Sequence, residues 1–283
     1  MNYHNRMRIM ERPPISKAEQ GDAITKVEQF LADAAARQRA AGVPVGSNGR
    51  IDMTLYKGLY PSVDIERDSQ RNREWEAEWS GGLPEEKLQK KRRRREGEQL
   101  EMLAYAIFSK NLGEQFVVVR TSPHDDRANK VDVVILDRKT GNLVCAFDEV
   151  GDAKTEKYRE KRTLVRDRNL AGGISLKYGI GIDAERGKNE VVLSAAEHLP
   201  LFYIAVPPDL IKEGMKQFIA DPVRQSDFEE RLFTYFLATI GEQISALELY
   251  RARLNPELQE NMEDFKGVVA SFSARQAKEK RRG

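Results

Sequence analysis

The chain has 283 residues, of which 40% are hydrophobic and 33% are charged, and its formal net charge is only +2. This length is enough for one sizeable core with appendages or for two small domains. We expect a soluble protein, because no apolar run approaches the roughly 20 residues that a membrane-spanning helix needs. The three histidines show no metal-ligand spacing, so the sequence does not indicate a zinc site.

The cysteine content and the first residues bear on the compartment. The single cysteine, Cys145, lies within a predicted strand and has no partner for an internal disulfide. The opening stretch, MNYHNRMRIMERPP, lacks the apolar segment of a secretory signal. Both features fit a reducing compartment, and we expect a cytoplasmic protein without a membrane partner.

Residues 1–86 are predicted to form an N-terminal extension that is partly disordered and partly helical. The apolar spacing within residues 22–41 predicts a helix with one buried face, formed by Ile24, Val27, Phe30, Leu31 and Ala34. Residues 42–49 contain three glycines and a proline and interrupt the helix. Residues 51–63 are compatible with a short strand.

A run of basic residues follows the extension: seven of the residues 87–95 are Lys or Arg. One interpretation is a solvated helix face. The alternative is a strip that contacts nucleic-acid phosphates, formed by Lys90, Lys91, Arg92, Arg93, Arg94 and Arg95, and it gains weight because the strip directly precedes a candidate site helix. Trp75 and Trp79, four residues apart, are expected to dock a helix on the core rather than to stack on a base.

Residues 87–208 are predicted to form an α/β core. Residues 96–111 form an amphipathic helix, with the apolar stripe Leu100, Leu103, Ala104, Ile107 and Phe108. Residues 116–119 form a buried strand. Residues 122–129 (SPHDDRAN) are predicted as a loop, and its two adjacent aspartates are interpreted as turn formers in preference to additional metal ligands.

The segment 131–154, VDVVILDRKTGNLVCAFDEVGDAK, is the centre of the prediction. A β-branched run, the turn chemistry of DRKTGN and a second apolar run predict a β-hairpin. Asp132 starts the first strand and Glu149 ends the second, so both acids lie at one end. Side chains that face each other across a hairpin share one side of the sheet, and a register near Phe147 puts Asp132 on the side of Glu149. Clustered carboxylates repel unless a cation lies between them, and a divalent cation with oxygen ligands is the usual solution.

The remainder of the chain returns from strands to helices. A highly charged helix is predicted over residues 155–170, and further strands over 175–182 and 201–206. Residues 209–283 are predicted to be a helical region with a basic tail. Its long helix begins at a capping box formed by Ser226 and Glu229. The broad apolar face of that helix is a candidate homodimer surface.

The hairpin resembles a known family. An Asp at the start of one strand, followed by Glu or Asp late in the next strand and then by Lys, resembles the PD-(D/E)xK nuclease-like superfamily. The segment GEQLE at 97–101 is similar to the opening of the helix that precedes the core sheet in that superfamily. The resemblance covers residues 96–206. It implies a restriction-endonuclease-like mixed central sheet flanked by helices, here with helical extensions at both ends, and a nuclease that uses Mg²⁺ or Mn²⁺ to cleave nucleic acid, with DNA favoured.

The resemblance also implies roles for individual residues. Asp132 and Glu149 would hold the metal, with Asp152 as the alternative acid. Lys154 would supply the catalytic cation. Glu101, on the preceding helix, would hold a metal-bound water or order the lysine.

The sequence departs from the family pattern at one position. With Glu149 as the second acid, the lysine position of the motif holds Gly151. Either a bulge at Gly151 makes residues 152–154 the DxK motif, or Lys154 or Lys157 reaches back from the following segment. The departure leaves a second hypothesis open, namely a non-catalytic nuclease-like module that binds nucleic acid or a partner protein.

Overall fold

The computed structural model describes residues 17–150, 156–183 and 190–279, and it has a mixed α/β architecture. Only the backbone is described for residues 17–18, 85, 89–90, 114, 144–150, 157 and 273–279. The central sheet has four strands in the spatial order β1 (Phe116–Arg120), β2 (Val133–Asp137), β3 (Leu143–Val150) and β6 (Leu201–Ala205). A separate antiparallel sheet contains β4 (Ile174–Asp183) and β5 (Glu190–Leu199).

The helices surround the central sheet. They are α1 (Lys17–Ala40), α2 (Ser62–Ser80), α3 (Glu85–Arg93), α4 (Glu96–Asn111), α5 (Pro123–Asn129), α6 (Glu156–Leu170), α7 (Pro208–Gln217), α8 (Asp227–Glu248) and α9 (Pro256–Glu279). A 3-10 helix over Met53–Gly58 precedes α2. No helix among the described residues combines the length and the apolar character needed to cross a membrane.

The predicted hairpin is confirmed, but the predicted register is wrong, because the partner of Phe147 is Val133 and not Asp132, so the pairing does not place Asp132 on the side of Glu149. β2 and β3 are antiparallel, with Val133 opposite Phe147, and β1 is antiparallel to β2. The turn closes at Gly141, whose positive φ of 78° suits glycine and whose N–H donates to the carbonyl of Asp137 at 2.9 Å. After α6 and the separate β4–β5 sheet, β6 adds parallel to β3, with Val150 opposite Ala205.

Alternating residues of the sheet divide the core into two layers. Val133 and Ile135 face a cluster that includes α4 and parts of α1, α7, α8 and α9. Val134 and Leu136 face a second cluster that includes Tyr178 of β4. Because α4 lies between the sheet and other helices, nearly all of its middle turns are buried and not only the predicted stripe. Glu101, near the start of α4, is therefore held between packed layers.

Three local predictions are corrected by the structure. The predicted loop 122–129 is the helix α5, because the Ser122 side chain caps its first turn and Pro123 suits its first position. The region 51–63 contains the 3-10 helix and not a strand. The strand β5 was missed, although its residues Val191, Val192 and Leu193 have the apolar, β-branched composition of a strand.

The terminal helices belong to the same core as the sheet. Residues of α1, including Val27 and Phe30, pack in the cluster that contains α4 and α8. The capping box of Ser226 and Glu229 is confirmed at the start of α8. The apolar face of α8 that suggested a homodimer is buried within this chain, and Phe236 on it has 0% exposure. That face is therefore not an available dimer surface.

Candidate metal site

Three carboxylates from three separate elements meet at the open end of the hairpin. Glu101 in α4, Asp126 in α5 and Asp132 just before β2 each offer one carboxylate oxygen, and these oxygens all lie within 4.8 Å of one another. Glu101 is buried, and the other two are half-buried. Oxygen ligands in this number are what a hard divalent cation such as Mg²⁺ prefers.

Asp132 reaches the site through an irregular approach to β2. The helix α5 ends at Lys130, whose φ of 57° lies in the left-handed region, and the chain then turns toward the sheet. The Asp132 carbonyl accepts a hydrogen bond from the Thr121 N–H at 2.9 Å. Val131 and Val134 lie in the same apolar cluster although they are three residues apart, so strict alternation does not hold here. The prediction that Asp132 starts the strand is wrong, since β2 begins at Val133.

Two arginines hold the acids together. The Arg50 guanidinium contacts Glu101 at 2.6 Å and Asp126 at 3.1 Å. Arg120, at the end of β1, contacts Glu101 at 2.9 Å and Glu98 at 2.7 Å. Glu101 thus accepts from both guanidinium groups, and the contacts of Arg50 join α4 to α5.

A short segment beside β1 positions Arg50. Arg50 forms a parallel bridge with Arg120, in which the Arg120 N–H donates to Gly49 at 3.0 Å and the Ile51 N–H donates to Arg120 at 2.9 Å. Gly49 has a positive φ of 74°, and a Cβ atom there would lie 2.8 Å from the Tyr105 hydroxyl. A side chain at position 49 would therefore displace the segment that carries Arg50.

Burial and the two arginines have opposite effects on the pKa values of the acids. Burial raises the pKa of the Glu101 carboxyl, and Arg120 and Arg50 oppose this rise without cancelling it. Burial also raises the pKa of Asp126, where repulsion from Asp132 adds to the effect. For Glu98, burial again disfavours the charge, but Arg120 and Arg50 outweigh it and hold its pKa below the usual value.

The site carries more negative than positive charge. Among the residues that the structure describes, the ionised acids Glu98, Glu101, Asp126 and Asp132 contribute −4 and the arginines that contact them, Arg50 and Arg120, contribute +2, which leaves −2 for these six side chains. One divalent cation would balance this charge. The residues that could hold it are Glu101, Asp126 and Asp132, whose oxygens are mutually close.

Of the predicted acids, Glu101 and Asp132 are brought together. Glu149 lies in β3, where its backbone pairs with Ile204 of β6. The Glu149 side chain lies outside the described residues.

The other predicted catalytic residues lie outside the described part of the chain. Asp152 and Lys154 belong to the segment 151–155, between β3 and α6, which the structure does not describe. The alternatives of a bulge at Gly151 and of a lysine that reaches back therefore both stay open.

The two adjacent aspartates of α5 have different roles. Asp125 is buried and accepts hydrogen bonds from the Lys177 N–H at 2.8 Å and the Tyr178 N–H at 3.0 Å. It also accepts from Ser122 and Asn129, so it is a structural residue that ties α5 to β4. Asp126 instead belongs to the acid cluster. The interpretation of both aspartates as turn formers is wrong, because they lie in a helix; the alternative of an additional metal ligand, which was set aside, fits Asp126.

The sequence prediction also missed Glu98, Arg50 and Arg120. Glu98 and Glu101 are three residues apart and thus neighbours on one helix face, which is a signal that the sequence offered. Arg120 ends a buried strand, where a charged residue implies a partner. Arg50 had no local signal, because a long-range bridge brings it to the site.

Part of the basic strip is engaged with the protein itself. Arg92 pairs with Glu76 at 2.6 Å, and Arg93 pairs with Glu28 of α1. For Lys90 only the backbone, within α3, is described. These ion pairs dock α3 on its neighbours, and they compete with any contact to phosphate.

The two tryptophans pack against cations. Lys91 and Arg95 lie over the Trp79 ring, at 4.7 and 4.6 Å from its centroid. Arg127 lies 4.1 Å from the centroid of Trp75, which is 41% exposed. The expectation that both rings dock on the core is wrong for Trp75, because its ring remains accessible.

A scan against protein-family models, a search of the curated proteins and a search of the solved structures each found no match to this chain. Any assignment of function therefore depends on the geometry and chemistry of the residues described above.

Proposed function

We propose that this chain is a metal-dependent nuclease that hydrolyses phosphodiester bonds of nucleic acid, with DNA preferred to RNA, in the cytoplasm. The observation that carries the proposal is the convergence of Glu101, Asp126 and Asp132, whose carboxylate oxygens lie within 4.8 Å of one another. Two of these acids, Glu101 and Asp132, are site residues that the resemblance to the PD-(D/E)xK superfamily implies.

The order of elements supports a restriction-endonuclease-like fold. The chain runs from α4 through β1, β2 and β3 to α6 and then to β6, which is parallel to β3. This helix, strand, hairpin, helix and strand order is the one on which the resemblance was based. The β4–β5 sheet is an insertion between α6 and β6 under this proposal.

The donor set fits Mg²⁺ or Mn²⁺. It offers carboxylate oxygens, with Glu101 buried and Asp126 and Asp132 half-buried, and the surplus of −2 counted over the described acids and arginines matches one divalent ion. Glu101, Asp126 and Asp132 would hold the ion, with Glu149 or Asp152 as a further ligand. When bound, the ion polarises the scissile phosphate and lowers the pKa of a water molecule.

A positively charged residue is also needed near the scissile phosphate, where negative charge develops. Lys154 is the residue that the resemblance implies. Arg50 is the alternative within the described residues, because it contacts two of the acids and its side chain is 16% exposed, against 3% for Arg120. A guanidinium can contact two phosphate oxygens at once, so Arg50 can orient a phosphate that enters the site.

A second candidate function is a non-catalytic module that binds nucleic acid or a partner protein. The observation that favours it is that Arg50 and Arg120 already neutralise part of the acid cluster. The glycine at the lysine position of the motif, Gly151, points the same way. Such a module needs no metal for its activity or for its stability.

A cleavage assay separates the two candidates. A panel of single- and double-stranded DNA and RNA would be incubated with the protein in Mg²⁺, in Mn²⁺ and in chelator. We expect metal-dependent cleavage that Asp132→Asn and Glu101→Gln each abolish, because either change removes a ligand. The matched control is Asp33→Asn, which makes the same charge change on the exposed side of α1. Full metal-dependent cleavage by Asp132→Asn would show that the acid cluster is not the active site.

A further inference from the structure

A cleft of about 670 Å³ lies between α6, β6 and α8, and it is not part of the acid cluster. Its volume is within the roughly 300–1,000 Å³ range of small-molecule sites. Tyrosine and arginine side chains dominate its lining. This combination of aromatic rings and cations suits a ligand that has both a planar ring and a negative charge.

The α6 wall of the cleft supplies the positive charge. Arg159, Arg162 and Arg166 recur at helical spacing, so they share one face of α6, and all three are exposed and line the cleft. Arg159 pairs with Glu156 at 3.3 Å and Arg166 pairs with Asp167 at 2.8 Å, but each partner is more than half exposed. Such surface pairs contribute little, so they can give way to a phosphate.

Ring surface in the cleft is supplied by tyrosine. Tyr158 packs edge-on against Tyr203 with ring centroids 5.3 Å apart, and their hydroxyls lie 3.3 Å apart. The Tyr235 hydroxyl donates to the Ala205 carbonyl at 2.7 Å. Tyr250, just after α8, is 38% exposed. Because the inner tyrosines are packed within the protein and Tyr203 is only 8% exposed, the exposed Tyr250 offers the ring surface for a ligand.

The edge of β6 in the cleft is closed to a peptide strand. Asn169 donates to the Leu201 carbonyl at 2.7 Å and accepts from the Leu201 N–H at 2.9 Å. Gln243 does the same for Tyr203, at 2.9 and 3.1 Å. These side-chain amides occupy the backbone groups that an added strand would need. The occupant must therefore be recognised by side chains.

One end of the cleft, at Ala205, lies at the same end of the central sheet as the acid cluster. Ala205 in the cleft is opposite Val150, at the end of β3. Asp132 directly precedes Val133, which is opposite Phe147 near that same end. The strands β2 and β6 are two strand spacings apart, or about 10 Å. A nucleic-acid strand with one phosphate at the acids can therefore place a neighbouring nucleotide near the cleft.

We propose that this cleft binds one nucleotide unit of single-stranded nucleic acid, with the phosphate on the α6 arginines and the base against Tyr250. Glu242 on the α8 wall repels phosphate and can accept from an amino group of the base, which fixes this orientation. The inference rests on the proposed nuclease function, because it names where the substrate lies beside the site of cleavage.

The test measures binding without cleavage. Fluorescence anisotropy in chelator would follow a labelled single-stranded DNA of about ten nucleotides, a length comparable to known single-strand sites. Tyr250→Ala should weaken binding about fivefold or more, because a stacking surface is lost. Arg162→Gln should weaken binding and reduce the slope of log affinity against log salt by about 0.7, the value for one phosphate contact. Arg67→Gln, which removes an exposed arginine from α2, is the matched control.

The outcomes separate this inference from the proposed nuclease function. In chelator, Asp132→Asn should not weaken binding of the oligomer, because it removes negative charge from the acid cluster, even if it abolishes cleavage. Competition with a mononucleotide distinguishes the two sources of the ligand. A mononucleotide affinity equal to that of the oligomer would assign the cleft to free nucleotides, and a weaker mononucleotide affinity would assign it to a strand. Wild-type affinity in both Tyr250→Ala and Arg162→Gln, or no binding by the wild type, would overturn the inference, whatever the cleavage assay shows. Unchanged melting temperatures of the two variants would confirm that their folds are intact.

Discussion

The substitution Asp132→Asn should stabilise the fold in the absence of a divalent metal and destabilise it when the metal is present. Without metal, Asp132 adds negative charge to a site that already carries a surplus of acid. Asparagine has nearly the same shape, so the substitution removes the charge and keeps the packing. In chelator, the variant should therefore be more stable than the wild type. With Mg²⁺ present, the loss of one of three clustered carboxylates should make it less stable.

The expected size follows from the separation of the acids. Two unit charges 4.8 Å apart, the limit for oxygens in this cluster, repel by about 3.5 kcal/mol at an effective dielectric constant of about 20. The actual relief is smaller, because Arg50 contacts both Glu101 and Asp126 and because burial raises the pKa of each of these acids. We expect a gain of about 1 kcal/mol, or about 2–4 °C in melting temperature.

The metal response of the wild type should be larger. A ligand at about 100 times its dissociation constant stabilises the folded state by about 2.7 kcal/mol, which corresponds to at least about 5 °C here. Thermal unfolding in chelator and in a Mg²⁺ or Mn²⁺ titration measures both effects. The control variant Asp33→Asn should have the melting temperature and the metal response of the wild type. If Asp132→Asn lowers the melting temperature in chelator and responds to metal as the wild type does, Asp132 is a structural acid and the cluster holds no metal.

Three further predictions concern other parts of the molecule. Lys110→Met should destabilise the fold by about 3–5 kcal/mol in urea unfolding, because it leaves the Glu229 carboxylate without its ion-pair partner. Both side chains of this pair are 0% exposed, and the additional substitution Glu229→Gln should recover part of the lost stability. Burial disfavours the charged form of Asp68, but Lys177 and other donors hold its pKa below the usual value. The stability that this lowered pKa contributes is present above the usual pKa and is lost as the pH falls through the lowered pKa. Asp68→Asn should therefore flatten the fall in melting temperature between about pH 5 and pH 2. Replacing all six residues of the basic strip 90–95 by glutamine should weaken DNA binding and flatten its salt dependence, and an unchanged slope would return the strip to a solvated, protein-docking surface.

The hairpin could be predicted because its signals are local. A β-branched run, a turn with Gly141 and a second apolar run specify the pairing of β2 and β3 without reference to the rest of the chain. The approach of Asp132 was less predictable. Its irregular backbone depends on how α5 ends at Lys130 and on the hydrogen bond to Thr121, and alternation counted along the sequence cannot show either feature.

The complete acid cluster could not be predicted, because the decisive contacts are long-range. Asp125 and Asp126 are indistinguishable by local sequence, and only the backbone N–H groups of β4, at Lys177 and Tyr178, show that the first of them is structural. Arg50 likewise reaches the site through a bridge to Arg120 that no periodicity announces. Sequence patterns therefore indicated where the site lies, and tertiary packing determined which residues form it.

The charge balance favours a functional over a purely structural cluster. A buried group of ions that only holds elements together is most stable when its charges cancel, because an uncompensated buried charge costs several kcal/mol. Here Arg50 and Arg120 cancel only half of the charge of the four acids, and burial leaves the pKa of Glu101 and Asp126 above their usual values. Perturbed carboxyls of this kind concentrate at functional sites, where a bound cation or substrate completes the balance.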